Sequence, residues 1–517
     1  MGPVSRERET WATRFGLILS MAGNAIGLGN FWRFPRLLAA NGGGAFMIPY
    51  FIALLLLGIP LMWVEWSTGR YGGKYGHGTL GPMFYLMARE SVKPRTALIF
   101  GIIGGMLAFA VTTLLNSYYI HVIGWTAAYV IYSAAGSYYG ANTVEFFNNH
   151  IANTSMVLAT WSIPMILLFI AAYRGVAKGI ELFNKIMMPL LYVFAIILAI
   201  RSITTGAPVR PDWSSWAGLR YSWNPDFETL RSNFWVISLA AAGQIFFTLS
   251  LGMGIIHNYA SYVKKDDDIA LAGLTTTSLN EVAEVILGGT IAVPLAYAYL
   301  GPDVVKQGSL GLAFMALPNV FTALGDVGRV FGMLWFLLLF FAGWTSAIAM
   351  YNYLVALLEE DLGINRRLGS LIVFILYFLL GLPVALDSSL TYFGELDNWV
   401  GSYLLVVLGL FDVIVGVYLF KPDNLWKELH TGALIRVPSL FKYILMTLTP
   451  IYILILLVGT TIDYYNQGVF AQADPLIVRA RIAIILVLII GAIETYYGIK
   501  KKYGKELAEN RKIIVVE

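Results

Sequence analysis

"GNAIGLGN", residues 23–30, interrupts what otherwise reads as one long apolar segment near the start of the chain. Gly27 and Gly29 lie between the amide side chains of Asn24 and Asn30. Glycine and amide side chains destabilise a helix in lipid, where every backbone polar group needs a partner within the protein. The stretch therefore predicts a helix that breaks inside a membrane.

The composition of the whole chain agrees with a membrane protein. Of 517 residues, 58% are hydrophobic and 13% are charged, and the mean hydropathy is +0.69. Soluble domains average roughly 25% charged residues. The absence of cysteine excludes disulfides, thiolate metal sites and a cysteine nucleophile. The net charge of +4 is scattered among loops and predicts no nucleic-acid partner.

Twelve segments are long enough to cross a bilayer core, which takes about 20 residues of helix. They lie near 15–38, 45–66, 97–132, 157–173, 184–204, 234–262, 269–299, 330–358, 369–387, 394–420, 442–462 and 479–499. All are predicted to be helices, because a membrane β-barrel would show period-two alternation instead. We expect a cytosolic segment at 1–10, one transmembrane domain at 11–500 and a cytosolic tail at 501–517.

The orientation of the chain follows from the lysine and arginine residues of its short loops. These residues precede span 1, follow spans 2 and 6, and occupy the loop between spans 4 and 5. The loop at 133–156 has none, whereas four arginines between spans 5 and 6 disagree with the pattern. The balance predicts a multi-pass protein of the cell membrane with both termini in the cytoplasm.

A second interruption, "FFTLSLGMG" at residues 246–254, falls in span 6. Spans 1 and 6 each open a five-span half, at about 11–204 and about 233–420, and helices 11 and 12 follow at about 439–500. Interrupted segments at matched positions indicate an inverted-repeat transporter, in which unwound carbonyls bind cations and half-helix N–H groups bind a carboxylate. The alternative is that the glycines only permit close helix packing.

Several stretches resemble the neurotransmitter:sodium symporter family over nearly the whole chain. They are "WATRFGLILSMAGNAIGLGNFWRFP", "NGGGAFMIPY", "GQIFFTLSLG", "SYVKKDDDIALAGLTTTSLNEVAEVILGG" and "LFFAGWTSAIA". The similarity is greatest to bacterial amino-acid members of the leucine-transporter type. It implies an all-α membrane protein with the LeuT fold, in which twelve helices form two inverted five-helix repeats and helices 1 and 6 are broken.

The resemblance implies two sodium ions, each bound by neutral oxygens. The first site would combine the substrate carboxylate with the Ala25 carbonyl and the side chains of Asn30, Thr248 and Asn280. The second would combine the hydroxyls of Thr345 and Ser346 with the carbonyls of Gly23, Ile26 and Ala342. The alternative for the two hydroxyls is a hydrogen bond back to their own helix.

The resemblance also implies an amino-acid site between spans 1, 3, 6 and 8. The substrate carboxylate would meet the N–H groups of Leu28 and Gly29 and the hydroxyl of Tyr119. Its ammonium would meet the carbonyls of Ala25, Phe247, Thr248 and Ser250. The side chain would be surrounded by Leu115, Tyr119, Phe247, Met253, Ser346 and Met350. Amine transporters of the family carry aspartate at the position of Gly27, so glycine favours a substrate with its own carboxylate.

Charged residues beside the spans match the gates of the family. Arg33 and Asp397 would close the outer side, whereas Arg8 and either Glu360 or Asp361 would close the inner side, braced by Trp11 and Tyr262. Gly179 and Pro189 have a spacing that lets span 5 of relatives open toward the cytoplasm. Without the family, interfacial anchoring would explain Arg8 and Glu360, but it would be a poor account of Arg33.

Glu284 takes the place of the small polar residue that chloride-dependent relatives carry beside the first sodium site. Its carboxylate would supply the negative charge, which predicts uptake without chloride and leaves proton antiport open. The overall prediction is sodium-coupled symport of a hydrophobic or aromatic α-amino acid by alternating access, not enzymatic activity. Glycine or alanine as the substrate, and a channel or membrane-embedded enzyme as another class, are the alternatives. The sequence leaves open whether the chain forms a homodimer.

Overall fold

The computed structural model describes residues 10–306 and 311–513, and its regular structure there is helical apart from one isolated bridge between Gly43 and Pro225. The helices of the first half are α1 (Arg14–Ala25), α2 (29–40), α3 (Gly44–Lys74), α4 (Leu80–Ala88), α5 (Pro94–Ala135), α6 (Thr143–Ala152), α7 (Thr154–Arg174) and α8 (Val176–Ile203).

The connection to the second half and the second half itself contain α9 (Ser215–Trp223), α10 (Phe227–Ser232), α11 (Phe234–Thr248), α12 (Ile255–Ala260), α13 (Ile269–Leu300), α14 (Pro302–Lys306), α15 (Leu312–Ala323), α16 (Asp326–Glu360), α17 (Arg366–Leu386) and α18 (Thr391–Leu419). The chain ends with α19 (Pro422–His430), α20 (Ser439–Asn466) and α21 (Pro475–Glu509).

Within the described residues, ten helices are long and apolar enough to cross a membrane. They are α3, α5, α7, α8, α13, α16, α17, α18, α20 and α21. The other two predicted spans are each divided into two shorter helices, α1 with α2 and α11 with α12. The prediction of twelve membrane segments, two of them broken, is therefore confirmed.

The two broken segments lie inside the helix bundle. α1 packs against α8, α13 and α16, and both α11 and α12 pack against α3. The long helices α5 and α16 pack along each other beside them. In contrast, α20 and α21 expose large apolar side chains such as Ile455, Ile489 and Ile493, as helices that face lipid do. The bundle thus keeps its polar breaks away from the lipid-facing surface.

The short helices outside the spans were not predicted. α6 begins at a cap made by Asn142, α9 at one made by Ser214 and α10 at one made by Asp226. Each side chain accepts hydrogen bonds from the first N–H groups of its helix. These helices contain only 10, 9 and 6 residues. A search for apolar runs of about 20 residues, which predicts membrane spans, therefore does not find them.

Candidate functional site

The two breaks have different backbone causes. α1 ends at Ala25, Ile26 is extended with φ −78° and ψ 95°, and helix resumes at Gly29. Between α11 and α12, Gly252 and Gly254 have φ of +67° and +80°. A side chain is strained at such angles, so the two glycines ease the turn, while Ser250 in the same break also has a positive φ of 57°. The sequence-based prediction of both interruptions is confirmed.

The breaks contact each other directly. The hydroxyl of Ser250 donates a hydrogen bond of 2.9 Å to the carbonyl of Asn24, the residue before the end of α1. The hydroxyl of Ser346 on α16 donates to the same carbonyl at 3.0 Å. One backbone carbonyl thus joins the first break to the second and to α16.

A small cavity lies where α1, α2, α5, α11, α12 and α16 meet. Its lining comprises Ala25, Gly27, Gly29, Leu115, Tyr119, Phe247, Ser250, Met253, Ile255, Ser346 and Met350. All the residues predicted to contact the substrate line this cavity except Leu28 and Thr248. Sequence reasoning missed Ile255, the first residue of α12, because nothing but its place after the glycine turn marks it.

The cavity has a polar end and an apolar end. At the polar end, the N–H of Leu28 donates to the Tyr119 hydroxyl at 2.9 Å, next to the first residues of α2. N–H groups at a helix start favour an anion. A Cβ at Gly27 would come within 2.8 Å of both the Tyr119 and the Ser346 hydroxyls, so glycine keeps this end open. Met253 and Met350 belong to the apolar lining.

The residues predicted for the first sodium site converge beside this cavity. The Asn30 amide donates to Asn280 Oδ1 at 2.8 Å, and the same end of the Asn280 amide lies 3.3 Å from the Ala25 carbonyl oxygen and 3.2 Å from that of Thr248. Turning the Asn280 amide over places its nitrogen at this end, where it donates to the carbonyls of Ala25 and Thr248. With its oxygen at this end instead, the amide and the two carbonyls present neutral oxygens, the ligand type of a hard monovalent cation.

Four of the five residues predicted for the second sodium site meet where α1 crosses α16. Ser346 Oγ lies 3.3 Å from the Gly23 carbonyl and 3.4 Å from that of Ala342. The Thr345 hydroxyl donates to the carbonyls of Phe341 at 2.9 Å and Ala342 at 3.1 Å, the back-bonded alternative of the sequence analysis. The fifth residue, Ile26, is buried where α1 breaks.

A buried acidic cluster adjoins the first site. The Thr248 hydroxyl donates to Glu284, and the Gln244 amide donates to Glu284 at 3.1 Å. The Tyr50 hydroxyl lies 2.8 Å from Glu284 and 2.9 Å from Glu281. The sequence singled out Glu284 alone. The spacing of three residues between the acids could have indicated Glu281, whereas no local signal marks Tyr50.

A second cavity lies above the first, on the side away from the N-terminus, and contains Arg33 and Asp397. Phe247 and Tyr119 line both cavities and separate them. The Arg33 guanidinium lies 4.6 Å from the Phe247 ring centre and donates to the Gly243 carbonyl at 3.2 Å. Tyr118 donates to Asp397 at 2.9 Å. Among the described residues, Arg33 and Asp397 share this cavity without an ion pair within 4.0 Å.

The opposite side is closed by aromatic residues. The Trp11 ring packs edge-on against Tyr262 at 6.3 Å, and its Nε1 donates to the Tyr259 carbonyl at 3.1 Å. Arg8, the predicted inner-gate arginine, lies outside the described residues. Asp361 is bound by Lys502 at 3.0 Å, and Glu360 accepts a hydrogen bond from Gly78 N.

Comparisons with known proteins place the chain in a family of transporters. The family model of the sodium:neurotransmitter symporter family matches residues 8–150 and 131–500. An uncharacterized sodium-dependent transporter of Methanocaldococcus jannaschii is 31% identical over 466 residues, which cover 86% of this chain and 89% of the relative. A sodium- and chloride-dependent glycine transporter of Xenopus laevis is 26% identical over 89% of this chain and 79% of its own.

A solved structure shows the same fold. The crystal structure of MhsT in complex with L-phenylalanine is 30% identical in sequence and superposes with a TM-score of 0.75. The match covers 88% of this chain and all of the MhsT chain. The predicted LeuT fold is therefore confirmed.

Proposed function

The chain belongs to the sodium:neurotransmitter symporter family, and on that premise we propose that it carries a hydrophobic or aromatic α-amino acid into the cell together with sodium. It is a sodium-dependent multi-pass membrane transporter and not an enzyme.

The observation that carries the proposal is the cavity between the two broken segments. Its polar end combines the start of α2 with the Tyr119 hydroxyl, and its other end is apolar. An α-amino acid has the matching division between a charged head and a side chain. Supporting this choice, MhsT holds L-phenylalanine in its crystal structure.

We propose that two sodium ions accompany the amino acid. The first is bound by the Ala25 carbonyl and the side chains of Asn30, Thr248 and Asn280, together with the substrate carboxylate. The second is bound by Gly23, Ile26, Ala342, Thr345 and Ser346. Because the carboxylate completes the first site, ion and substrate each raise the affinity of the other.

Glu284 supports transport without chloride. Its carboxylate accepts a hydrogen bond from Thr248, a proposed ligand of the first sodium, and thus lies where a negative charge offsets that of the ion. A symporter with a fixed carboxylate at this position does not need a free anion there.

Transport by alternating access requires a gate on each side of the cavity. We assign the outer gate to Arg33 and Asp397, with Phe247 between them and the substrate. The inner gate consists of Trp11 and Tyr262, together with Arg8 and Glu360. Asp361, which Lys502 binds at 3.0 Å, stays an equal candidate for the acid of that gate. Both termini lie in the cytoplasm of a cell-membrane protein in this proposal.

Binding of an amino-acid panel to the purified protein in sodium tests the substrate assignment. We expect leucine, methionine, phenylalanine, tyrosine and tryptophan to compete for one labelled ligand, and lysine and aspartate to compete weakly. A protein that binds only glycine or alanine would contradict the proposal, and binding of glycine alone would match the substrate in the name of the Xenopus relative.

A further inference from the structure

A second set of buried ionisable side chains lies behind the break between α11 and α12. Glu65 comes from α3, His257 from α12 and Asp412 from α18, and each has 0% relative exposure. His257 Nε2 lies 2.9 Å from Asp412 Oδ1, and His257 Nδ1 lies 3.4 Å from Glu65 Oε2. Three helices far apart in sequence therefore bring one imidazole between two carboxyl groups.

The cluster is attached to the broken segment by a backbone hydrogen bond. Gly252 N donates to Glu65 Oε1 at 2.8 Å. Gly252 lies between Ser250 and Met253, both of which line the substrate cavity. It also packs so closely on Leu405 of α18 that an added Cβ would lie 2.0 Å from the Leu405 carbonyl oxygen. Movement of residues 249–254 must therefore disturb the surroundings of Glu65.

The charge balance of the cluster depends on protons alone. The titratable groups that face His257 are Glu65 from α3 and Asp412 from α18, whereas α4 contributes only the Phe84 ring at 6.4 Å. Glu65 and Asp412 contact the two different ring nitrogens of His257. No lysine or arginine forms an ion pair with either acid in the described part of the chain, and no group of three such residues there has the geometry of a metal site.

Burial of net charge in an apolar surrounding is costly, so the cluster favours its neutral form. With both carboxyls ionised and the imidazole neutral, the three groups carry two negative charges. Two bound protons cancel them, whichever of the three side chains hold them. Loss of one proton leaves a single negative charge. That charge is stabilised only when water reaches the cluster.

We propose that Glu65, His257 and Asp412 form a proton-binding site that exchanges one proton with water when residues 249–254 move during transport. The site holds two protons while Gly252 N is bonded to Glu65, and one proton passes to water when that bond opens and the cluster becomes hydrated. None of its members is a proposed sodium ligand or lines the substrate cavity. The inference stands whichever amino acid is carried.

Calorimetric sodium titration of the full-length protein in lipid nanodiscs tests this site, because Thr248 directly precedes the moving segment. Repeating the titration in buffers of different ionisation enthalpy gives the number of protons exchanged per sodium-binding event. His257→Gln and Asp412→Asn remove titrating groups but keep hydrogen-bonding capacity. His121→Gln is the matched control, because His121 is equally buried but bonds the Gly381 carbonyl at 2.9 Å instead of a carboxylate.

We expect sodium binding to exchange protons in the wild type and in His121→Gln, and the exchange to fall by most of its value in His257→Gln and Asp412→Asn. The pH dependence of sodium affinity between about pH 5 and about pH 9 should flatten in the same two variants. If either of them does not fold, Glu65→Gln replaces it.

Two results would overturn the proposal: no proton exchange in the wild type, or equal exchange in wild type, His257→Gln and Asp412→Asn. The latter would assign the protons to the cluster of Tyr50, Glu281 and Glu284. A failure of the substrate assignment would look different. Titration with sodium would still give a binding signal, whereas titration with any of the hydrophobic amino acids would give none.

Discussion

Thr345 and Ser346 make different contacts although they are neighbours on α16. Ser346 reaches across to the carbonyls of α1, while Thr345 bonds within its own helix at Phe341 and Ala342. Sodium binding at this site would require the Thr345 hydroxyl to turn a lone pair toward the ion, which a hydroxyl bonded through its hydrogen can do. The two residues are therefore tested together.

Replacement of both residues by alanine should lower sodium affinity about thirtyfold or more, because two of five ligands are lost and each is worth about 1–3 kcal/mol. Sodium titration of the purified double variant measures this. Phe341 is the helix partner of Thr345 and contributes only its carbonyl, so Phe341→Leu serves as the control and should leave the affinity near that of the wild type. Undiminished sodium affinity in the double variant would contradict the second site.

Glu284 and Glu281 give a sharper test of chloride independence than either residue alone. Glu284 accepts a hydrogen bond from the Thr248 hydroxyl, whereas Glu281 accepts one from the Asn280 amide at 3.3 Å. The Tyr50 hydroxyl lies 2.8 Å from Glu284 and 2.9 Å from Glu281. We expect wild-type uptake to be the same in chloride and in gluconate. Glu284→Ser should create a chloride requirement, and Glu281→Ser should create a weaker one or none. Loss of uptake by the wild-type protein when gluconate replaces chloride would refute this role.

Met253 tests the selectivity of the cavity. Methionine is flexible and polarizable, so it adapts to side chains of different shape, including aromatic rings. Met253→Phe should lower the affinity for tryptophan more than the affinity for leucine. The difference should be about 1–3 kcal/mol, the cost of one mis-sized methylene in an apolar pocket. Competition binding of both amino acids measures the difference, with Met350→Leu as a volume-conserving control. An equal loss for both substrates would mean that Met253 does not set the specificity.

Among the helices, α8 connects the proposed inner gate to the proposed second sodium site. Glu181 on this helix accepts hydrogen bonds from Ala12 N at 2.7 Å and from the Thr13 hydroxyl at 2.9 Å, just before α1 begins. Further along α8, a Cβ added at Gly23 of α1 would lie 3.1 Å from Met188 Sδ. Pro189, next to Met188, lies inside α8, where it removes one helix hydrogen bond. A bend there would move the start of α1.

Pro189→Ala should slow the opening of the inner side, because the restored hydrogen bond stiffens α8 at the point where it must bend. We expect slower uptake with nearly unchanged substrate affinity and an equal or higher melting temperature. Pro164→Ala, an interior proline of α7, is the matched control and should leave the uptake rate closer to wild type. If Pro189→Ala takes up substrate as fast as the wild type, Pro189 does not act as a hinge.

Most of the elements could be predicted from the sequence, and the exceptions have physical causes. Membrane spans are long apolar runs, and glycines beside polar side chains mark each break, amides in the first and hydroxyls in the second, so both signals are local. The short helices α6, α9 and α10 depend on single capping residues and lack such a run. Ile255, Tyr50 and the cluster of Glu65, His257 and Asp412 depend on contacts between distant helices, which a single sequence does not reveal.

In the molecule as a whole, the two breaks, the two proposed ion sites and the proposed substrate cavity form one connected region. The carbonyl of Asn24 links the first break to the second and to α16, and Thr248, a proposed ligand of the first sodium ion, donates to Glu284. Binding at one point of this region therefore changes the contacts at the others. Such coupling is what lets a sodium gradient drive the accumulation of a second solute.

Accumulation of a labelled amino acid by sealed proteoliposomes under an inward sodium gradient tests that claim most directly. We predict that leucine or tryptophan will rise above its external concentration, and that this will be abolished when potassium replaces sodium outside or when the gradient is collapsed. The Thr345→Ala, Ser346→Ala double variant should fail to accumulate either amino acid. Equal uptake with and without the sodium gradient, or entry that stops at the external concentration, would contradict sodium-coupled symport.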